Sequence, residues 1–149
     1  LGCSVTLIER NKVVHSLLSD GLERARQTAS MDTALGTIVG RISLVRQDSS
    51  EFLALLSPEE RPDIVYIDPM FPERKKSAKV KKEMQAFHSI VGSDDDSSDL
   101  LALALGQARY RVVVKRSVSA EWLGDLKPSY SLTGKSTRFD VFALNKLPY

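Results

Sequence analysis

Short apolar runs alternate along this chain with stretches whose apolar residues recur every three or four positions. Cys3 to Ile8 is apolar and β-rich and stops at Glu9-Arg10-Asn11. After it, Val13, Val14, Leu17, Leu18, Leu22 and Ala25 share one helical face, with Asn11 placed to cap the helix. A polar connection containing Thr and Gly leads to a second strand at Ile42 to Val45, then to Gln47-Asp48-Ser49 and a helix from about Ser50 to Leu56. Asp63 to Ile67 reads as a third strand, and its nearly unbroken apolar character suits a parallel strand covered on both faces. Val80, Met84, Phe87 and Val91 mark another helix face beyond a basic segment from Arg74 to Lys82. The acidic loop Asp94 to Asp99 offers Ser98 or Asp99 as cap for a helix from Leu100 to about Ala108. Arg111 to Lys115 is a fourth strand. Tyr130 to Leu132 and Phe139 to Leu144 read as two more, joined by the turn Thr133-Gly134-Lys135-Ser136.

Strands alternating with helices predict an α/β fold whose sheet is mostly parallel, and the terminal strand pair predicts an antiparallel C-terminal edge. That is a Rossmann-like layout. Such a sheet ordinarily opens with a central strand and a glycine-rich turn. The eight glycines here are scattered, with no G-x-G cluster after a strand. The first strand and its glycine loop are therefore expected upstream of Leu1, which makes residues 1–149 one domain cut at its amino end.

The 149 residues are about one domain's worth of chain. With 42% hydrophobic and 27% charged residues the composition is that of an ordinary globular protein, and no apolar run approaches the roughly 20 residues of a spanning helix. One cysteine, Cys3, excludes an internal disulfide framework and, with only two histidines, makes a metal site an unexpected feature. A reducing cytoplasm is the expected compartment. Net charge is only +2, so attraction to nucleic acid must come from clustering of basic residues.

The chemistry concentrates at strand ends, which line the crevice where open α/β sheets bind ligands. Asp68-Pro69-Met70-Phe71 ends the third strand. An exocyclic amine on a nucleobase is a poor nucleophile because its lone pair is delocalised into the ring, and hydrogen-bond acceptors must draw that lone pair out. The Asp68 carboxylate can accept one N–H and the carbonyl of Pro69 the other, while Phe71 stacks on the flat base. Proline fixes φ and lacks an N–H, so the loop leaves the strand in a set direction. A structural turn is the plain alternative. Glu9 ends the first strand, where an acid can accept ribose hydroxyls. Arg10 beside it is placed to cover an adenine face or to stay solvated. Asp48 and Ser49 end the second strand, within reach of an adenine amino group or serving as a helix cap. Lys75, Lys76, Lys79, Lys81 and Lys82 follow the Asp68 loop directly. Such a run is either a solvated face or a phosphate-binding patch, and Lys115, Arg116, Lys135 and Arg138 extend it. His15 and His88 read as packing or surface residues, and Trp122 as core.

The strings L-I-E-R-N (Leu7 to Asn11), D-P-M-F-P (Asp68 to Pro72), K-S-A-K-V-K-K-E-M (Lys76 to Met84), V-V-V-K-R (Val112 to Arg116) and R-F-D (Arg138 to Asp140) resemble the ribosomal RNA small subunit methyltransferase J family. The resemblance covers essentially the whole chain and lacks that family's amino-terminal part. It implies an enzyme that transfers methyl from S-adenosylmethionine to the N2 amine of a guanine in small-subunit (16S) ribosomal RNA. It also implies cofactor contacts at Glu9, Arg10, Asp48, Ser49 and Asp68. Met70 stands where many amine methyltransferases have proline, and Lys12 where a proline is expected. On this reading the catalytic set is Asp68, Pro69 and Phe71, and the RNA-binding set is Lys75, Lys76, Lys79, Lys115 and Arg138. The expected partner is ribosomal RNA or a ribosomal particle, with no membrane and no metal. Rival readings are an amine methyltransferase acting on DNA or on a protein glutamine, a nicotinamide-dependent oxidoreductase, and a non-catalytic RNA-binding module.

Overall fold

The structure is a computed structural model that describes residues 2–29, 32–69 and 97–148. It divides into two compact units, Leu1–Phe52 and Leu53–Tyr149. The expected segment of residues 70–96, with its helix face at Val80, Met84, Phe87 and Val91, lies outside the described residues.

The first unit holds β1 (Val5–Ile8), α1 (Lys12–Ala29), α2 (Thr33–Val39) and β2 (Ile42–Val45), and α3 (Ser49–Ala54) begins within it. β1 and β2 pair in parallel, Val5 opposite Ile42 through Ile8 opposite Val45. Asn11 caps α1 as its sequence position predicts, its side-chain oxygen accepting from the N–H of Val13 at 2.9 Å and of Val14 at 3.2 Å. The stretch expected to be a polar connection contains α2. Its seven residues include two threonines and a glycine, all weak helix formers. What holds it is the Asp32 cap, which accepts from Ala34 and Leu35 N–H groups at 2.9 and 3.1 Å, together with packing against α1.

The second unit is built on β3 (Ile64–Ile67), β4 (Arg111–Ser117), β5 (Tyr130–Thr133) and β6 (Thr137–Ala143), in the spatial order β3-β4-β6-β5. β3 and β4 are parallel, and β4, β6 and β5 are antiparallel, so the predicted antiparallel C-terminal edge is present. One helix, α4 (Ser97–Gln107), covers one face of this sheet. Leu101 and Ala104 on α4 are fully buried, as are Val112 and Val114 on alternate positions of β4. Leu53, Ile67, Ala108, Leu123 and Phe142 complete this core. Each fully buried leucine or valine contributes about 1.5–3 kcal/mol relative to exposure. The expectation that β3 is covered on both faces is not met among the described residues: Ile64 and Tyr66 are 51% and 54% exposed. The pleat sends these two side chains to the face opposite Ile67, where Tyr66 meets the ring of Phe139 at 6.5 Å between centroids. Trp122, expected in the core, is 42% exposed, and its neighbour Leu123 takes the buried place.

Among the described residues, one charged group lies inside the second unit. Asp140 on β6 is 2% exposed, and the guanidinium of Arg138, two residues back on the same face, grips it with Nε at 2.9 Å and Nη2 at 3.0 Å. Ser131 on β5 donates a further hydrogen bond to Asp140 at 2.6 Å. Removing one partner of such a pair leaves an uncompensated charge, so Asp140→Ala is expected to destabilise the second unit by about 3–5 kcal/mol in chemical denaturation. A loss below about 1 kcal/mol would show that Arg138 finds solvent or another acceptor at little cost.

Candidate active site

In the first unit the parallel pairing of β1 and β2 carries both chains out at the same edge. The Glu9 N–H donates to the Val45 carbonyl at 3.1 Å, so the ladder runs to the last residue of β1's exit. Beyond it, the half-buried Glu9 accepts the Asn11 N–H on Oε1 at 2.6 Å. Asp48 follows β2 by three residues. Its Oδ1 accepts the N–H groups of Ser50 at 2.8 Å and Glu51 at 3.3 Å, which makes it the cap of α3. Its Oδ2 meets Arg10 Nη1 at 3.1 Å. Burial pushes the Asp48 carboxyl up, but the Glu51 and Ser50 N–H groups and Arg10 together outweigh it, and the net effect holds Asp48 below its ordinary value of 3.8. The Arg10 guanidinium is thus held on Asp48. Ser49 is the first residue of α3 and is partly buried.

The chemistry of this donor set suits a nucleoside. Two carboxylates at adjacent parallel strand ends accept hydrogen bonds, which matches ribose hydroxyls and an adenine amino group and mismatches a phosphate. A carboxylate has about four lone-pair sites, so Asp48 keeps acceptor capacity while capping α3.

In the second unit β3 ends at Ile67, opposite Val114, while β4 runs on beside β6 to Ser117. Asp68 and Lys115 are the next residues, and Lys115 Nζ lies 2.8 Å from Asp68 Oδ2. Both side chains are partly open to solvent, at 36% for Lys115 and 45% for Asp68. The hydrogen bond to Asp68 raises the Lys115 ammonium above its usual range against an opposing effect of burial. Burial, then the charge of Asp68, raises the nearby Tyr66 hydroxyl. Pro69 is buried directly behind Asp68. Phe71, Lys75, Lys76 and Lys79 lie outside the described residues.

Arg138, read from sequence as an RNA contact, has another job. Its side chain is 12% exposed and is spent on Asp140, on the Val118 carbonyl at 3.0 Å and on the Glu121 carbonyl at 3.4 Å. Arg116 also donates to the Glu121 carbonyl, at 2.9 Å from Nη2. Burial, then the neighbouring Arg138, lowers the Arg116 guanidinium. These two arginines fasten the loop that leaves β4. Sequence reasoning passed over Asp140 as a partner; a carboxylate two residues from an arginine inside a strand was the available signal, since such residues share a face. It also passed over the pairing of Asp68 with Lys115, which follows once β3 and β4 are recognised as parallel neighbours.

Among the described residues no group of three or more His, Cys, Asp or Glu side chains could hold a metal ion, and no helix is long and apolar enough to cross a membrane.

Comparison with known proteins shows the family. Residues 1–144 match the model of a family described as "Putative SAM-dependent methyltransferase". The chain belongs to this family. A protein of Cellvibrio japonicus called ribosomal RNA small subunit methyltransferase J is 54% identical over 149 residues, covering 99% of this chain and 56% of that protein. The protein of the same name from Marinobacter nauticus is 49% identical, covering 99% and 51% respectively. The crystal structure of a SAM-dependent methyltransferase from Neisseria gonorrhoeae superposes with a TM-score of 0.70 at 35% identity, covering 97% of this chain and 54% of that one. The chain thus spans about half the length of the curated relatives it matches.

The position of Asp48 generates a test with a definite sign. Its folded-state pKa is depressed, so its contribution is present above the ordinary value of 3.8 and fades as pH falls through the lower folded value. Asp48→Ala is expected to cost about 0.5–2 kcal/mol near neutrality, the usual range for a lost helix cap. In denaturation curves the gap between variant and parent should close below pH 3.8. A gap that persists unchanged in acid would mean that the carboxylate charge contributes nothing.

Proposed function

We propose that this protein belongs to an enzyme that methylates the exocyclic N2 amine of a guanine in small-subunit ribosomal RNA, with S-adenosylmethionine as methyl donor. The observation that carries the reading is the solvent-accessible Asp68 carboxylate at the carboxyl end of β3, followed at once by the buried Pro69. Family membership and the names of the relatives support the reaction class and the RNA substrate. Glu9 would accept the ribose hydroxyls of the cofactor, Asp48 and Ser49 would face its adenine, and Arg10 would steady Asp48. Bound S-adenosylmethionine supplies an electrophilic methyl carbon on a sulfonium.

The chain's own part is to make a sluggish nitrogen nucleophilic. Asp68 accepts one N–H of the guanine amine and the Pro69 carbonyl accepts the other, which turns the lone pair out of the ring plane. Phe71 stacks on the base. The nitrogen exchanges one proton for the methyl group, and the proton departs after the new bond has made the nitrogen strongly acidic, so no dedicated base is required. Guanine N2 lies in the groove of a duplex, and the target base must be unpaired or flipped out to reach Asp68. Lys75, Lys76 and Lys79, which follow Asp68 in sequence, supply the charge for the RNA phosphates. The setting is a cytoplasmic one, on ribosomal RNA or an assembling particle.

Two measurements test this. With labelled methyl donor and small-subunit particles, the wild type should yield N2-methylguanosine on nucleoside digestion, and Asp68→Asn should reduce transfer by at least about 100-fold, in line with loss of a preorganised polar group in an active site. Label appearing on adenine, on DNA or on a glutamine side chain would favour one of the other amine methyltransferases. Replacing Lys75, Lys76 and Lys79 together by Gln should weaken RNA binding and flatten its dependence on salt, since each lost phosphate contact lowers the slope of log K against log salt by about 0.7 for single-stranded RNA. An unchanged slope would make these lysines a solvated face.

A further inference from the structure

We infer that Lys115 is a positioning residue for the reaction, acting through Asp68 and not as an RNA contact; the inference rests on the function proposed above. The pair joins residues 47 positions apart, and the parallel register of β3 and β4 sets Lys115, still within β4, beside Asp68, the first residue past β3. Nζ donates to one carboxylate oxygen, Oδ2, at 2.8 Å. That distance is at the short, charge-assisted end of the range for such bonds. An aspartate more than a third exposed at the start of a loop otherwise samples several side-chain rotamers. The tether from Lys115 selects one of them and assigns Oδ1 to the incoming amine.

Stability does not account for the pair. Ion pairs this open to solvent contribute at most about 1 kcal/mol, and the sheet beneath already fixes the two strands through Val112, Val114 and Ile67. Nor does the geometry favour a phosphate contact. A lysine whose ammonium is spent on a carboxylate 2.8 Å away is a partly neutralised charge, and a neighbouring carboxylate repels phosphate. The raised Lys115 pKa agrees, since its largest cause is the hydrogen bond to Asp68. Tyr66, whose ring packs toward Phe139, stands close enough to feel both charges and walls this end of β3.

The test compares Lys115→Met and Lys115→Arg with the wild-type protein in steady-state methyl transfer to small-subunit particles, with RNA affinity measured separately by equilibrium binding. Loss of alignment at a reacting group costs up to about 100-fold. Lys115→Met is therefore expected to lower kcat by roughly 10- to 100-fold while KM for RNA and its salt dependence stay within about twofold. Lys115→Arg, which restores a cationic donor, should recover most of kcat. Unchanged thermal midpoints in both variants would confirm that the fold is intact, as the exposure of the site leads one to expect. If Lys115→Met instead raises KM and flattens the salt dependence with kcat preserved, Lys115 is a phosphate contact and the inference is overturned. It is equally overturned if Lys115→Arg is as slow as Lys115→Met at wild-type stability. If the wild type itself places no methyl group on guanine, the proposed function fails, and that outcome is recognised without any Lys115 variant.

Discussion

Parallel strand pairing is the constraint on which the remaining features depend. In a parallel pair both chains run the same way, so residues remote in sequence leave the sheet at one edge, and the register decides which of them become neighbours. Ile67 opposite Val114 makes Asp68 and Lys115 adjacent, and Ile8 opposite Val45 brings Glu9 alongside the turn that carries Asp48. The register is in turn set by burial. Slipping β4 by one residue would turn Val112 and Val114 out of the core and drive Val113 and Lys115 into it. The same hydrophobic alternation that stabilises the second unit therefore also sets Lys115 beside Asp68.

Two ion pairs among the described residues of the second unit have similar length, and exposure tells them apart. Arg138 and Asp140 are 12% and 3% exposed, whereas Lys115 and Asp68 are 36% and 45% exposed. For the buried pair, desolvation is expensive, and only a forked guanidinium with Ser131 completing the carboxylate's partners makes burial tolerable. Its use is to hold β6 against the loop after β4, because the same guanidinium reaches the Val118 and Glu121 carbonyls. The exposed pair can contribute little to folding, and that is the argument for placing it with the chemistry.

Much of this was legible from residues alone, and the failures have identifiable causes. The strands expected at residues 42–45, 63–67 and 111–115 follow from apolar runs bounded by charged or turn residues, with β3 starting one residue later and β4 running two residues further to Ser117, and Asn11 announced α1 through its capping position. The antiparallel edge followed from two β-rich runs around Thr133-Gly134-Lys135-Ser136, although β6 begins at Thr137, two residues before the apolar signal at Phe139. α2 escaped because its propensity is poor and its support is tertiary; only Asp32, a cap residue before Thr33-Ala34-Leu35, advertised it. Trp122 was misplaced because the absence of aromatic neighbours in sequence suggested a core residue, while the kinked turn at Gly124 and Asp125, both with positive φ, seats Leu123 inward. The strand-end carboxylates were readable because their positions are local facts. Their partners were not, since Arg10 meets Asp48 across 38 residues and Lys115 meets Asp68 across 47.

Under the proposed function, a lysine beside the amine acceptor presents an apparent contradiction, because an ammonium draws electron density from the carboxylate and weakens it as an acceptor. The magnitudes resolve it. A hydrogen bond to a charged group contributes about 1.5–3 kcal/mol net, and Lys115 diminishes only part of that at Oδ1. Correct alignment of reacting groups can contribute about 7–11 kcal/mol, and it is lost when the acceptor wanders among rotamers. Orientation therefore dominates acceptor strength at this site. Under that proposal the same reasoning favours an aspartate over a glutamate: the shorter side chain has one fewer torsion to restrain, and a single tether from the neighbouring strand fixes it.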